Sequence, residues 1–168
     1  MSITTAAPAD VDVRGPRFSA WVTTVVLAAG LLIAGTDPHL GAAVLAAQAA
    51  VFAIGALAGP RRHPYGQVFA RVVAPRLAGP TEREPVAPLR FAQLVGLVFS
   101  LIAVAGFLTG APVVGVVATA LALAAAFLNA AFGICLGCQL YPLVARARRR
   151  PGVALGEPLT VESKGIRS

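Results

Sequence analysis

Residues 91–132 read FAQLVGLVFSLIAVAGFLTGAPVVGVVATALALAAAFLNAAF, and no charged residue interrupts them. The charge-free run continues past Gly133 to Ala145. A surface helix of a soluble protein keeps one polar face, whereas this stretch is apolar nearly all round and needs hydrocarbon about it. A second block, from Phe18 to Pro60, carries Asp37 as its only charge. About 20 residues cross a bilayer core, so each block is long enough for two passes. Each also has breaker chemistry near its middle, Gly35-Thr36-Asp37-Pro38-His39 in the first and Thr109-Gly110-Ala111-Pro112 in the second. Pro112 suits the first turn of a helix, where its missing N–H costs nothing. The spacing therefore predicts four spans, near residues 18–34, 40–57, 91–108 and 112 to 132 or 133.

Composition agrees with this reading. Hydrophobic residues make up 57% of the 168-residue chain and charged residues 12%, against roughly a quarter charged in an average soluble domain. A soluble domain of this size could not hide so much apolar surface. The net charge of +7 and pI near 11.0 would suggest nucleic acid in a soluble protein. Here the arginines stand at the edges of the apolar blocks, where they meet lipid phosphates and fix orientation, so nucleic-acid binding is excluded as the reading of this charge. Residues 1–13 carry Asp10 and Asp12 and no basic stretch before a short apolar run. The first apolar segment is thus expected to remain as a span and not to act as a secretory signal.

The arginines also give a topology. Arg14 and Arg17 precede the first span, six arginines from Arg61 to Arg90 lie between the second and third, and Arg146, Arg148, Arg149 and Arg150 follow the fourth. The two tight turns hold Asp37 and no Lys or Arg. The positive-inside rule places both termini and the central loop in the cytoplasm of a cell whose inner membrane the chain crosses. The expected organisation is an N-terminal cytoplasmic segment (1–17), a four-helix membrane domain (18–145, with a central loop at 60–90) and a basic, disordered tail (146–168).

Inside the central loop, Tyr65, Val68, Phe69, Val72 and Val73 repeat at one helical face, with Gln67 and Arg71 off it and Pro75 ending the run. Two readings stay open, an interfacial helix on the cytoplasmic leaflet and a short cap over the bundle. From Pro75 to Pro88 the chain reads as an extended linker. There is also a faint internal repeat: Pro16-Arg17-Phe18 opens the first pair of spans and Leu89-Arg90-Phe91 the second, while Pro38, Gly41 and Gly59 pair with Pro112, Gly115 and Gly133. The fold class is an all-α integral membrane protein, a four-transmembrane-helix bundle of two hairpins with a cytoplasmic interfacial helix.

One constellation carries chemistry. Phe132-Gly133-Ile134-Cys135-Leu136-Gly137-Cys138-Gln139-Leu140-Tyr141-Pro142 contains both cysteines of the chain, spaced Cys-x-x-Cys. At i and i+3 on a helix they share a face, close enough for a disulfide or a shared metal. Two cysteines cannot close a four-sulfur zinc site alone, so no metal site is assigned and dithiol exchange is the more natural use. A helix break at Gly133 would let Cys135 open a new helix running to Arg150. A helix N-terminus and nearby arginines lower a thiol pKa, whereas hydrocarbon raises it. Cys135 is taken as the attacking thiol and Cys138 as the resolving one. Metal binding and inert packing remain as alternatives. Gln48 and Asn129 are the amides inside spans, each expected to face the bundle and bond another helix. His39 and His63 stand too far apart to suggest a metal site. No phosphate-binding Gly-rich loop, Ser-His-Asp set or HExxH motif is present, and no cofactor is evident.

Val11-Asp12-x-Arg14 before the first span, Pro75-Arg76-Leu77-x-x-Pro80, Arg90-Phe91, and Phe127-x-Asn129-x-x-Phe132-Gly133-x-Cys135-x-x-Cys138-x-x-Tyr141 form a pattern. In these residues, from about Val11 to Arg146, the chain resembles the bacterial membrane family called domain of unknown function 4395. The most specific part is Phe-Gly-x-Cys-x-x-Cys. The resemblance implies a small redox-associated membrane protein, and similar genes tend to lie near thioredoxin-like and sulfurtransferase genes, which makes such proteins the candidate partners. The leading function is a membrane-embedded dithiol/disulfide component exchanging with a thioredoxin-like protein or a low-molecular-weight thiol. The alternative is a non-enzymatic scaffold or small transporter with structural or metal-binding cysteines.

The arginine bias makes a direct prediction. Tags fused before Ser2 and after Ser168 both report the cytoplasm, and a reporter inserted at Asp37-Pro38 or Gly110-Ala111 reports the far side. Termini on opposite faces would contradict the span count.

Overall fold

The computed structural model describes residues 10–79 and 82–148; the tail expected to be disordered lies outside them from residue 149 onward. A short strand β1 (Asp10–Asp12) leads into α1 (Arg14–Ala34), which is followed by α2 (Pro38–Ala58). A short helix α3 (Pro64–Val68) continues as a π turn over Phe69–Val73 and a 3₁₀ turn over Ala74–Arg76. Strand β2 (Arg83–Pro85) precedes α4 (Val86–Leu108), then come α5 (Pro112–Phe132) and α6 (Leu136–Arg148). The helices α1, α2, α4 and α5 are each long and apolar enough to cross a membrane. The chain is a multi-pass membrane protein, all-α apart from the two three-residue strands.

Neighbours in the bundle are α1 with α2, α2 with α4, α4 with α5, and α5 with α1, which closes a ring of four. Its surface is inverted relative to a soluble protein. Leu32 and Leu57 are both 76% exposed, while Ser19, Thr23, Gln48, Ser100 and Thr119 are buried. Such an outer face is covered by lipid, not water. Thr119 Oγ1 donates to the Gly115 carbonyl at 2.7 Å, so its hydroxyl needs no other helix.

Lipid tails are as apolar as leucine, so membrane helices associate through close packing of small residues. The interfaces here are built that way. A Cβ placed on Gly106 would come within 2.6 Å of the Gly115 backbone nitrogen, across α4 and α5. One placed on Gly41 would meet the Ala34 Cα at 2.6 Å, across α1 and α2. Gly96 receives the Phe52 ring and Gly55 receives the side chains of His63 and Gln93, which brings α2 and α4 together along the lower half of both helices.

The pairs of the faint sequence repeat occupy equivalent places. Arg90, near the start of α4, donates from Nε to the Ala56 carbonyl (2.8 Å) and from an Nη to the Leu57 carbonyl (2.7 Å), in the last turn of α2. Arg17, near the start of α1, donates from one Nη to the carbonyls of both Ala130 and Ala131, at 3.4 Å each, in the last turn of α5. Gly59 and Gly133, just past those helix ends, both have positive φ, 83° and 71°. The strands β1 and β2, which precede α1 and α4, pair antiparallel with Val11 opposite Glu84. That small sheet did not show in the sequence, where residues 83–85 read as linker.

The central loop also differs from one regular helix. Phe69 is buried against Phe18 (ring centroids 5.8 Å) and beside Gly15, whereas Val68 and Val72 are exposed. Pro75 has no N–H and crowds the turn before it; the Ala74 N–H reaches back to Phe69, and the helix widens into the π turn. Tyr65 donates its hydroxyl to Gln48 Oε1 at 2.8 Å, so Gln48 finds its partner in this loop segment and not in a neighbouring span.

The glycine contacts carry a stability prediction. Gly106→Val forces atoms into the Gly115 backbone and costs about 1–3 kcal/mol, read as a fall of several degrees in the melting midpoint of detergent-purified protein. Gly79→Ala, where nothing lies within 4 Å, leaves the midpoint in place. Equal midpoints for both variants would contradict the packing account.

Candidate functional site

The site begins where α5 stops. Gly133 adopts the left-handed conformation that a Cβ disfavours. Its N–H bonds the Asn129 carbonyl at 3.1 Å and the Ile134 N–H bonds the Leu128 carbonyl at 3.3 Å. These bonds satisfy the end of α5 while turning the chain. Two residues later the Cys135 carbonyl accepts from the Gln139 N–H at 3.1 Å, which is the first bond of α6. The break expected at Gly133 is present, with Cys135 as the cap of the new helix rather than its first full turn. The helix is described to Arg148.

Cys135 and Cys138 lie at disulfide-bonding distance, with Cα atoms 5.2 Å apart. The Cys138 N–H also donates to Cys135 Sγ at 3.3 Å. Helix caps are normally Ser, Thr, Asp or Asn, whose oxygen takes the N–H of the second or third residue. A sulfur fills that place here. Cys135 Sγ thus stands at the positive end of the α6 dipole and accepts a backbone N–H. Cys138 lies one turn inside the helix without that advantage. Pro142 deepens the asymmetry: it has no N–H to give the carbonyl four residues back, which is that of Cys138.

α6 is held against the start of α4. A Cβ on Gly137 would lie 2.6 Å from the Ala92 Cα, and the Tyr141 ring faces Phe91 with centroids 6.0 Å apart. Gly137, the middle of the Cys-x-x-Cys loop, is thus where two backbones touch. The sequence does not show this contact, because Ala92 is distant along the chain. The Phe69–Phe18 contact beside α1 is the counterpart of the Tyr141–Phe91 contact beside α4.

Two cavities open near this end of the bundle. One, of about 280 Å³, is walled by α1, α4, α5 and α6, with Phe52 of α2, and reaches Cys135; Ser19, Thr23, Gln93 and Asn129 are its polar lining residues. Asn129 therefore faces into the bundle, as the sequence suggests, but onto this space. The other, of about 490 Å³, is lined by Asp10, Asp12, Arg61, His63, Phe69 and Arg83 among others. The two share Pro16, Ser19, Leu89 and Gln93.

His63 is the group that sequence reasoning passed over. It is 3% exposed, and neither ring nitrogen has a hydrogen-bond partner of good geometry. Burial pushes its pKa down to about 4, and the Gln93 amide beside the ring opposes that only in part. The sequence signal was weak, a histidine after Arg61-Arg62, and its burial depends on the Gly55 slot in another helix. His39 lies exposed at the opposite turn. Among the described residues no group of three or more His, Cys, Asp or Glu could hold a metal. Asp12 and Arg14 form a bidentate pair (2.8 and 3.1 Å), which holds the Asp12 carboxyl below its usual range.

The sequence model of the family described as "Domain of unknown function (DUF4395)" matches residues 11–146, and the chain belongs to that family. No curated protein and no solved structure matches the chain.

His63 makes the fold acid-sensitive. Its folded pKa lies below the ordinary value of 6.5, so its contribution is fully present above pH 6.5 and is lost as pH falls through 6.5 toward 4. The loss is on the order of 3 kcal/mol by pH 4. Melting midpoints of wild type and His63→Leu, measured from pH 7 to pH 4.5, should diverge, with the wild type falling more steeply. Parallel curves would contradict the burial of a neutral imidazole.

Proposed function

We propose that this member of the DUF4395 family is a membrane-embedded dithiol/disulfide component, in which Cys135 is the attacking thiol and Cys138 the resolving one. The observation that carries the reading is the pair at disulfide-bonding distance with Cys135 Sγ at the N-terminus of α6. In exchange, the Cys135 thiolate attacks a sulfur of a partner disulfide, the partner's other sulfur leaves as a thiolate, and a mixed disulfide forms. The Cys138 thiolate then attacks Cys135 Sγ and releases the reduced partner. The reverse sequence reduces the Cys135–Cys138 bond at the partner's expense.

The partner is a thioredoxin-like protein, a sulfurtransferase or a low-molecular-weight thiol. With the arginines on the cytoplasmic side, the fold is two hairpin repeats with both termini inside, and the exposed Val68 and Val72 rest in the inner leaflet as an interfacial segment. The cytosol is reducing, so a bond there serves cycling better than permanent stapling.

Cys138→Ser traps a mixed disulfide between Cys135 and a soluble partner, visible as a band lost on reduction, and Cys135→Ser traps none. If neither variant traps a partner and the Cys135→Ala/Cys138→Ala protein keeps full function in cells, the cysteines are packing residues. The chain is then a scaffold or small transporter.

A further inference from the structure

The cavity at Cys135 lies between three of the membrane-spanning helices, α1, α4 and α5, and is bordered at its end by α6. It runs from Cys135 and Asn129 up past Ser19, Gln93 and Gly96 to Thr23 and Phe52. Its volume, about 280 Å³, falls just below the range of small-molecule sites, roughly 300–1,000 Å³. The lining is mainly apolar, with hydroxyls and amides contributed by three different helices. Gln93 borders the cavity as well, with its oxygen in the Gly55 slot beside His63. Cys138 is not part of this wall, whereas Cys135, the sulfur capping α6, is. One sulfur of the pair thus borders a mainly apolar space, and a molecule there meets the sulfur that caps α6.

An occupant useful to a dithiol must accept or give two electrons, dissolve in a bilayer, and present hydrogen-bonding atoms on a flat apolar body. We propose that this cavity binds the head group of a lipid-soluble quinone, and that the Cys135–Cys138 dithiol reduces it. The inference rests on the dithiol reading above and names the other end of its electron flow. The step balances: two thiols lose two electrons and two protons to form one disulfide, and one quinone gains both to become one quinol. The Cys135 thiolate adds to the quinone ring, and the Cys138 thiolate then attacks Cys135 Sγ. The carbon–sulfur bond breaks, and its electron pair leaves with the quinol, which takes up the protons. Gln93 and Asn129 amides and the Ser19 and Thr23 hydroxyls orient the carbonyls.

The test uses the full chain in lipid nanodiscs, reduced with dithiothreitol, desalted and kept free of oxygen. Short-chain ubiquinone is added, its absorbance is followed, and free thiols are counted by maleimide gel shift. The expected result is one quinone consumed per protein with both thiols lost to a disulfide, and no reaction in Cys135→Ser/Cys138→Ser. Ala126→Leu and Thr23→Leu, which fill the cavity from α5 and α1, lower the quinone rate about tenfold to a hundredfold relative to thiol exchange measured on the same protein. If the pair exchanges with dithiothreitol but quinone is not reduced, or is reduced equally in the filled variants, the cavity holds only a lipid tail and the quinone inference falls while the dithiol reading stands. If the pair exchanges with no thiol at all, the dithiol reading falls with it.

Discussion

In hydrocarbon a backbone carbonyl without a partner costs several kcal/mol, roughly what a whole hydrogen bond is worth there. Every span therefore has to end in a way that satisfies its last turn, and the architecture follows from how α2 and α5 end. Arg90 reaches from α4 to the carbonyls of Ala56 and Leu57, and Arg17 reaches from α1 to those of Ala130 and Ala131. Each arginine ties the start of one helix to the end of its neighbour and places a positive charge at a helix C-terminus, where the dipole favours it. The same two residues belong to the arginine bias from which the sequence reading takes its topology.

Those two ends have equivalent scaffolds and unlike contents. After Gly59 the chain presents Arg61, Arg62 and His63, and His63 folds back into a slot at Gly55. After Gly133 it presents Cys135 and Cys138, and Gly137 presses on Ala92. In both, a glycine with positive φ stops the span, a short helical segment follows, and an aromatic ring from that segment rests on a phenylalanine next to the arginine that caps the other span's end, Phe69 on Phe18 beside Arg17 and Tyr141 on Phe91 beside Arg90. The two ends thus share a latch and differ in the residues they present. At one end His63 is buried, and at the other lies the Cys135–Cys138 pair. Gln93 lines the cavities beside both.

What could be read from the sequence was what depends on neighbours in the chain. The four spans follow from charge-free length, the turns from Gly-Thr-Asp-Pro and Thr-Gly-Ala-Pro, and the break before Cys135 from Gly133. The helices begin a few residues earlier than hydropathy suggests, because Arg14, Arg17 and Arg90 lie within α1 and α4 with their heads at the helix ends. What could not be read depends on contacts between distant segments. The strand pair joins Asp10–Asp12 to Arg83–Pro85 across a whole repeat. The valines of the central loop share a face only on a regular helix, and the π turn before Pro75 separates Phe69 from Val68 and Val72. The cysteine pair was legible as a pair, but the sulfur cap on α6, the Gly137–Ala92 contact and the cavity behind Cys135 all require α4 to be in place.

The claim on which the functional account turns is that Cys135–Cys138 is a reversible couple and not a staple. Its reduction potential, measured on purified protein equilibrated in thiol redox buffers and quenched with a maleimide, tests that claim most directly. Exchange proteins range from about −270 to about −120 mV, whereas structural disulfides lie below about −300 mV. The account predicts a single two-electron transition within the first range. A bond that stays closed at potentials below about −300 mV, or thiols that never form it, would contradict it.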